Sequence, residues 1–342
     1  MKTSRVVVIT GASAGVGRAT VREFARTGAK LGLLARNAEA LANAKREVED
    51  LGSRAVAIPT DVADAQAVEL AAARVEAELG PIEIWVNVAM VSVFSPVRLM
   101  LAEEYRRVTE VTYLGYVFGT QSALKRMLPR NRGVIIQVGS ALAYRSIPLQ
   151  SAYCAAKHAI LGFTESLRTE LLHDRSRVRV TMLELPAVNT PQFGWVKSRL
   201  PNCPQPVPPI YQPEVIARAI EWSSRHKRRE LYVGFPAVKA IVAERLSPHV
   251  GDLYLARTGY KSQQTSQPDS HHRPDNLWHT VPGDHGAHGA FDSRARAFSI
   301  QLWLNLNRRT LLFTTTAAAL LMMGARKLIR GWTAGYSSSA RS

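Results

Sequence analysis

Residues 5–17 read Arg-Val-Val-Val-Ile-Thr-Gly-Ala-Ser-Ala-Gly-Val-Gly, and this stretch decides the fold. Val6 to Ile9 are β-branched and apolar at every position, the pattern of a strand buried on both faces of a parallel sheet. Gly11, Gly15 and Gly17 follow, and a helical pattern then runs to Gly28. Glycine at such a turn lets the backbone approach a pyrophosphate, whose charge is met by the free N–H groups of the helix N-terminus. Gly11, Ser13, Gly15, Val16 and Gly17 are therefore candidate cofactor-binding residues. A tight turn with no ligand is the plainer alternative.

Working outward, the same rhythm repeats. Strand-like runs at 30–34, 55–58, 84–88, 134–138, 178–183 and 231–233 alternate with helical patterns at 38–51, 65–79, 103–128, 151–173 and 213–224. Such alternation predicts an α/β fold, a doubly wound parallel sheet of about seven strands with helices on both faces. Residues 1–250 form this domain, including a proline-rich loop at 190–213 that reads as a substrate lid or as a semi-rigid connector. Residues 251–305 are expected to be an extended irregular appendage without a core of its own. The segment 306–342 is expected to hold an apolar helix with basic flanks and a short polar tail.

The chain of 342 residues carries 44 Lys and Arg against 27 Asp and Glu, a net charge of +17, while 46% of its residues are hydrophobic. That composition is globular and excludes a disordered or fibrous chain. The excess charge favours anionic partners without choosing among them. Only Cys154 and Cys203 are present, too few for a disulfide framework or a four-thiolate metal site. The apolar run at 6–9 is too brief for a signal-peptide core, so the expectation is a reduced, cytoplasmic protein.

Two features carry chemistry. The second strand ends Leu34-Ala35-Arg36-Asn37, with no carboxylate where an adenosine ribose would be held. An arginine there can pair with a 2′-phosphate, which favours NADP(H) over NAD(H); a solvated surface charge is the alternative for Arg36. Further on, Ser140 ends the fifth strand, and Tyr153 and Lys157 follow at i and i+4 on one helix face. Tyrosine ionises near pH 10 and is a poor base at neutrality; a neighbouring ammonium is expected to lower that value and make proton transfer competent. Ser140 can donate to a substrate oxygen where negative charge develops.

On these residues the chain resembles the short-chain dehydrogenase/reductase family, over about residues 1–235. Thr10-Gly-x-x-x-Gly-x-Gly17, Asp61-Val62 after the third strand, and Ser140…Tyr153-x-x-x-Lys157 fall in the family's order. The resemblance implies a Rossmann fold and hydride transfer between a nicotinamide and a carbonyl/alcohol substrate. It implies Tyr153 as general acid in reduction, Lys157 on the nicotinamide ribose, and Ser140 positioning the carbonyl. By the same resemblance Asp61 and Val62 flank the adenine, Asn87 belongs to the cofactor site, and Val188 and Thr190 lie beside the nicotinamide amide. It further implies a homo-oligomer paired through the long helices 103–128 and 151–173.

Three departures stand out. Asn87-Val88-Ala89-Met90 ends in a thioether where the family has glycine, Pro186-Ala187 replaces Pro-Gly, and Thr112 stands where many members have a relay asparagine. They leave a second reading open, a catalytically impaired NADP-binding sensor or scaffold. A third, an epimerase or dehydratase using transient oxidation, would need a larger C-terminal substrate domain.

Weaker signals are read plainly. Phe193, Trp195, Val196 and Leu200 are a lid wall or packing for a long loop. The basic run 224–229 is a solvated helix end, with no nucleic acid partner expected. His271, His272, His279, His285 and His288 fit no closed metal site. The uncharged stretch 310–325 would span about 24 Å as a helix, short of the ~30 Å hydrocarbon core, so membrane contact there competes with packing on a partner subunit.

Overall fold

The apolar runs become strands in the computed structural model of the chain, which describes residues 4–270 and 273–308. Val6–Thr10 (β1), Lys30–Ala35 (β2), Ala55–Pro59 (β3), Ile82–Asn87 (β4), Val134–Val138 (β5), Arg179–Glu184 (β6) and Glu230–Tyr232 (β7) form one sheet. Its order is β3-β2-β1-β4-β5-β6-β7, and every pairing is parallel. The order reverses between β1 and β4, and ligands of open α/β sheets bind outside the strand C-termini at such a switch.

Six helices cover the two faces: Gly15–Arg26 (α1), Ala38–Asp50 (α2), Ala65–Leu79 (α3), Ala102–Thr109 (α4) with Gly115–Met127 (α5), and Ser151–His173 (α6). A π-turn at Glu110–Leu114 joins α4 to α5, so the single long helix expected over 103–128 is interrupted at its centre. Pro213–Arg225 (α7), with proline in its first turn, packs against α1. At the centre of the core Trp85 is fully buried, and its indole N–H donates to Asn87 Oδ1 at 2.8 Å. Gly119 on α5 passes close over this pair, and a Cβ there would stand 2.4 Å from Asn87 Oδ1.

The appendage differs from the sequence expectation. Phe235–Leu246 (α8) and Pro248–Ser262 (α9) are helices and Gln264–Pro268 is a short strand paired with Asn202–Pro204, so the irregular stretch begins after 268 and not at 251. The reason lies in the burial pattern. In α9 Gly259 is buried while Val250, Leu253, Tyr254 and Tyr260 are exposed, so no apolar stripe marks the helix. Irregular chain beyond 268 packs on the sheet domain and shares its core. Leu277 joins the main cluster, and Ala287 packs with Ala19 and Ala217. One compact unit thus runs through Ser299, and a second comprises Ile300–Ser342, of which 300–308 are helical. The stretch 310–325, His271 and His272 lie outside the described residues. Among the described residues no helix is long and apolar enough to cross a membrane, and no group of side chains could hold a metal.

Candidate active site

The glycine turn is built by close approach. Gly11 has φ +67°, and a Cβ there would lie 2.9 Å from the Ala89 Cα; a Cβ on Gly17 would meet the Gly11 carbonyl oxygen at 2.0 Å. Thr10 ties the turn to the next strand, its hydroxyl accepting from the Val88 and Ala89 N–H groups at 3.0 and 3.2 Å. The N-terminus of α1 has no side-chain cap. Its amides face a cavity of about 450 Å³ that runs past Arg36, Asp61 and Val62 at one end to Ser140, Tyr153 and Lys157, then to Leu142, Val207 and Ala240.

Ser140 is clamped between β5 and β6. The Gly139 N–H donates to Leu183 O at 2.7 Å and the Ala141 N–H to Leu185 O at 3.0 Å, while Ser140 Oγ accepts from the Leu142 N–H at 3.1 Å. Tyr153 and Lys157 sit in the first turns of α6. Lys157 Nζ donates to Val138 O at 2.7 Å and to the Tyr116 hydroxyl at 3.3 Å, and stands 5.5 Å from the Tyr153 ring centroid. The three residues read from the sequence therefore meet at one cavity, as do Gly11, Ser13, Gly15, Val16, Gly17, Val188 and Thr190. Met90 lines the wall without filling the space.

The electrostatics correct one expectation. Burial pushes the Tyr153 phenol above its ordinary value, and the group that opposes burial is the hydrogen bond from Ser140. Lys157 is itself pushed down to about 7 by burial, with Glu184 pulling the other way. Burial thus works against charge on both groups, opposite in direction to the lowering of the phenol expected from a neighbouring ammonium.

Glu184 was not marked by the sequence reading. It ends β6 fully buried, is pushed up to about 8 by burial and by Glu230, and both carboxylate oxygens lack a side-chain partner. A carboxylate closing an otherwise apolar parallel strand, as in Val180-Thr181-Met182-Leu183-Glu184, was the available signal.

Four other residues are placed differently from the simplest expectation. Asn87 does not reach the cavity; its amide donates to Gln137 Oε1 at 2.8 Å and to Thr120 Oγ1 at 3.2 Å in the core. As the last residue of β4 its side chain points into the layer shared with α5. Asp61 is already paired, 2.5 Å from Arg107 Nη2. Arg36 is not a solvated charge. Its guanidinium donates to the carbonyls of Leu277 and Trp278 at 3.3 and 3.0 Å and also to Asn276. Thr112 is spent on the backbone, accepting from the Val91 N–H at 3.0 Å and donating to Val91 O at 2.9 Å. In the proline-rich loop Val196 and Leu200 are buried with Phe94 and Leu149, Trp195 lines the cavity, and Phe193 does both, lining the cavity and packing on that cluster.

Comparisons with known proteins agree with this architecture. The family model described as short chain dehydrogenase matches residues 5–199. The chain is 31% identical over 330 residues to the uncharacterized oxidoreductase YxnA of Bacillus subtilis, covering 95% of this chain and 91% of that protein. It is 37% identical over 173 residues to human dehydrogenase/reductase SDR family member 7, about half of each chain (49% and 51%). Among solved structures it is similar to an alcohol dehydrogenase from the archaeon Thermococcus sibiricus complexed with 5-hydroxy-NADP, with TM-score 0.58, 27% identity, and 67% of this chain and 95% of that one covered. A 3-oxoacyl-[acyl-carrier protein] reductase from Brucella melitensis with bound NAD gives TM-score 0.57 and 28% identity over 68% and 90% of the two chains. On these matches the chain belongs to the short-chain dehydrogenase family of oxidoreductases.

Proposed function

We propose that the protein is an NADP(H)-dependent oxidoreductase acting on a carbonyl/alcohol pair of apolar character. The observation that carries this reading is the cavity joining the glycine turn at the head of α1 to Ser140, Tyr153 and Lys157. The residues fit a dinucleotide: Gly11 and Gly17 leave a cradle that a Cβ would fill, and Arg36 stands at the end of β2, where a 2′-phosphate is recognised. Bound there, the nicotinamide would supply or accept the hydride. The chain's own residues would do the rest. Ser140 orients the substrate oxygen, and Tyr153 donates its proton to that oxygen as negative charge grows. A phenol kept protonated by burial suits the acid role in reduction. Lys157, charged once an anion or a bound ribose stabilises it, restores the proton. Leu142, Ile147, Phe193, Trp195, Val207 and Ala240 at the far end favour an apolar substrate. Pairing of two copies through α4–α5 and α6 belongs to the same proposal.

One observation favours the second reading, an impaired cofactor-binding sensor: the Thr112 hydroxyl proton is committed to Val91 O, so it has no donor left for a relay water. NADPH consumption against a panel of ketones, aldehydes and quinones separates the two. Turnover by the wild type, lowered about 10²–10⁴-fold in Tyr153→Phe with NADPH binding retained, is the expected result. Tight binding with no turnover on any substrate, or full activity in Tyr153→Phe, would overturn the enzymatic assignment.

A further inference from the structure

The segment 276–288 crosses the mouth of the cavity, although no strand or helix of the sheet domain requires it there. It is anchored at two fully or nearly buried points, Leu277 and Ala287, while residues 278–280, 282, 284 and 285 between them are exposed. Gly283 and Gly286 sit at φ +90° and +62°, so the backbone between the anchors turns where other residues are disfavoured.

What this span touches is the dinucleotide cradle. The Gly15 N–H at the head of α1 donates to Gly286 O at 3.0 Å. Arg36 is held by the carbonyls of Asn276, Leu277 and Trp278, and Asn37 Nδ2 donates to Val281 O and Gly283 O at 3.0 and 3.1 Å. Arg107 Nε reaches the same Leu277 carbonyl at 3.0 Å. On α1 the buried Arg18 pairs with Asp284, and beyond the far anchor His288 bridges Glu214 and Asp292 at 2.8 Å each. On its inner side Asn276, Thr280, Val281 and His285 line the cavity. His285 also meets Trp195 edge-on, with ring centroids 4.6 Å apart, which links the span to the substrate loop.

Between the anchors the residues of the span are mostly exposed and its ties are polar and part-buried, whereas the anchors are apolar and buried. A span exposed along most of its length opens locally more readily than buried apolar contacts, which hold until larger opening occurs. We propose that residues 276–288 are a latch over the dinucleotide site. Closed, they form its outer wall and retain the cofactor; lifting between Leu277 and Ala287 lets it exchange. Gly15 and Arg36, which hold the latch by its carbonyls, are then the groups that pass from latch to phosphate when cofactor enters, and the ties of Arg18, Asn37 and Arg107 keep it closed over the bound cofactor. Loading and release are therefore coupled to the movement. This inference rests on the cofactor reading above.

The experiment measures NADPH association and release by stopped-flow fluorescence, with release triggered by excess NADP⁺. Asp284→Asn removes the charge that pairs with Arg18 while keeping the side chain's shape. Release about tenfold faster than wild type is expected from loss of one partly buried charge-assisted bond. A second variant closes the latch. Asn43 on α2 is bonded to Asp284, so Asn43→Cys with Asp284→Cys places two thiols across the seam. Oxidised, this variant is expected to load and release NADPH about a hundredfold more slowly, and reductant should restore both rates. Wild-type rates in Asp284→Asn together with unchanged exchange in the verified disulfide form would overturn the latch while leaving the cofactor site standing. A wild-type chain that takes up neither NADPH nor NADH overturns the cofactor reading, and the latch with it.

Discussion

Arg18 Nη2 lies 3.2 Å from Asp284 Oδ2, and the bond joins residues 266 positions apart in the chain. Arg18 is fully buried on the first helix, and Glu47 takes its Nε at 2.9 Å. A buried guanidinium is costly unless its donors are paired, and Arg18 is held by two carboxylates, Glu47 on α2 and Asp284 from the C-terminal segment. Cofactor turn and appendage are physically one structure.

Arg36 is expected to set cofactor preference. Arg36→Asp places a carboxylate where a 2′-phosphate would sit and should lower the ratio of kcat/KM for NADPH over NADH by about tenfold or more. The variant also loosens the Asn276–Trp278 carbonyls, so its NADH release rate should rise in the same preparation. An unchanged NADPH/NADH ratio would remove Arg36 from phosphate recognition.

Glu184 is expected to tune Lys157. Facing the Glu184 carboxyl group are Lys157 and Tyr153 on α6, Tyr116 on α5, Tyr144 beyond β5 and Glu230 on β7. Glu184→Gln removes the carboxyl group whose charge, as it ionises toward pH 8, opposes loss of the Lys157 proton, so the alkaline limb of the kcat/KM profile moves down. Glu184→Asp, which keeps the charge, should hold that limb in place; a purely structural role would leave the limb unmoved in both variants.

Stability follows the same pair with a definite sign. The folded pKa of Glu184, about 8, lies above its ordinary 4.5, so its contribution is present below 4.5 and is lost as pH rises through 8. Lys157, at about 7, adds an opposing slope above neutrality. The clean window is therefore about pH 5 to 7, where the Tm of the wild type should fall more steeply than that of Glu184→Gln. Parallel Tm curves would exclude a buried titrating carboxylate.

Two glycines should answer a methyl group in opposite ways. At Gly119 the Cβ would press on Asn87 Oδ1 and, at 2.7 Å, on Trp85 Nε1, breaking the bond between them. Gly119→Ala should cost about 2–3 kcal/mol in urea unfolding, from overpacking plus a lost buried hydrogen bond. Gly162 lies within α6 with nothing inside 4 Å, and Gly162→Ala should stabilise by about 0.5–1 kcal/mol.

Much of the fold was legible because the chemistry is local. Val6–Ile9 could only be a buried strand, and the spacing of Tyr153 and Lys157 needed only a helix to bring both to one side. The break at Glu110–Leu114 was not legible, since a π-turn changes hydrogen bonding without altering composition. Nor was α9, whose apolar residues face outward and leave no stripe. Asn87 looked like a cofactor ligand by position; its strand-end geometry turned it into the core instead.

The alternation of strands and helices, the glycine turn and the spacing of Ser140, Tyr153 and Lys157 were thus determined by the sequence itself, because hydrophobic periodicity and short-range spacing are set within a few residues. Tertiary structure alone decided who closes the cavity, which carboxylate lies beneath Lys157, and what Arg36 holds. Each of these depends on contacts between residues dozens to hundreds of positions apart, and no local pattern encodes the burial and pairing that such contacts create.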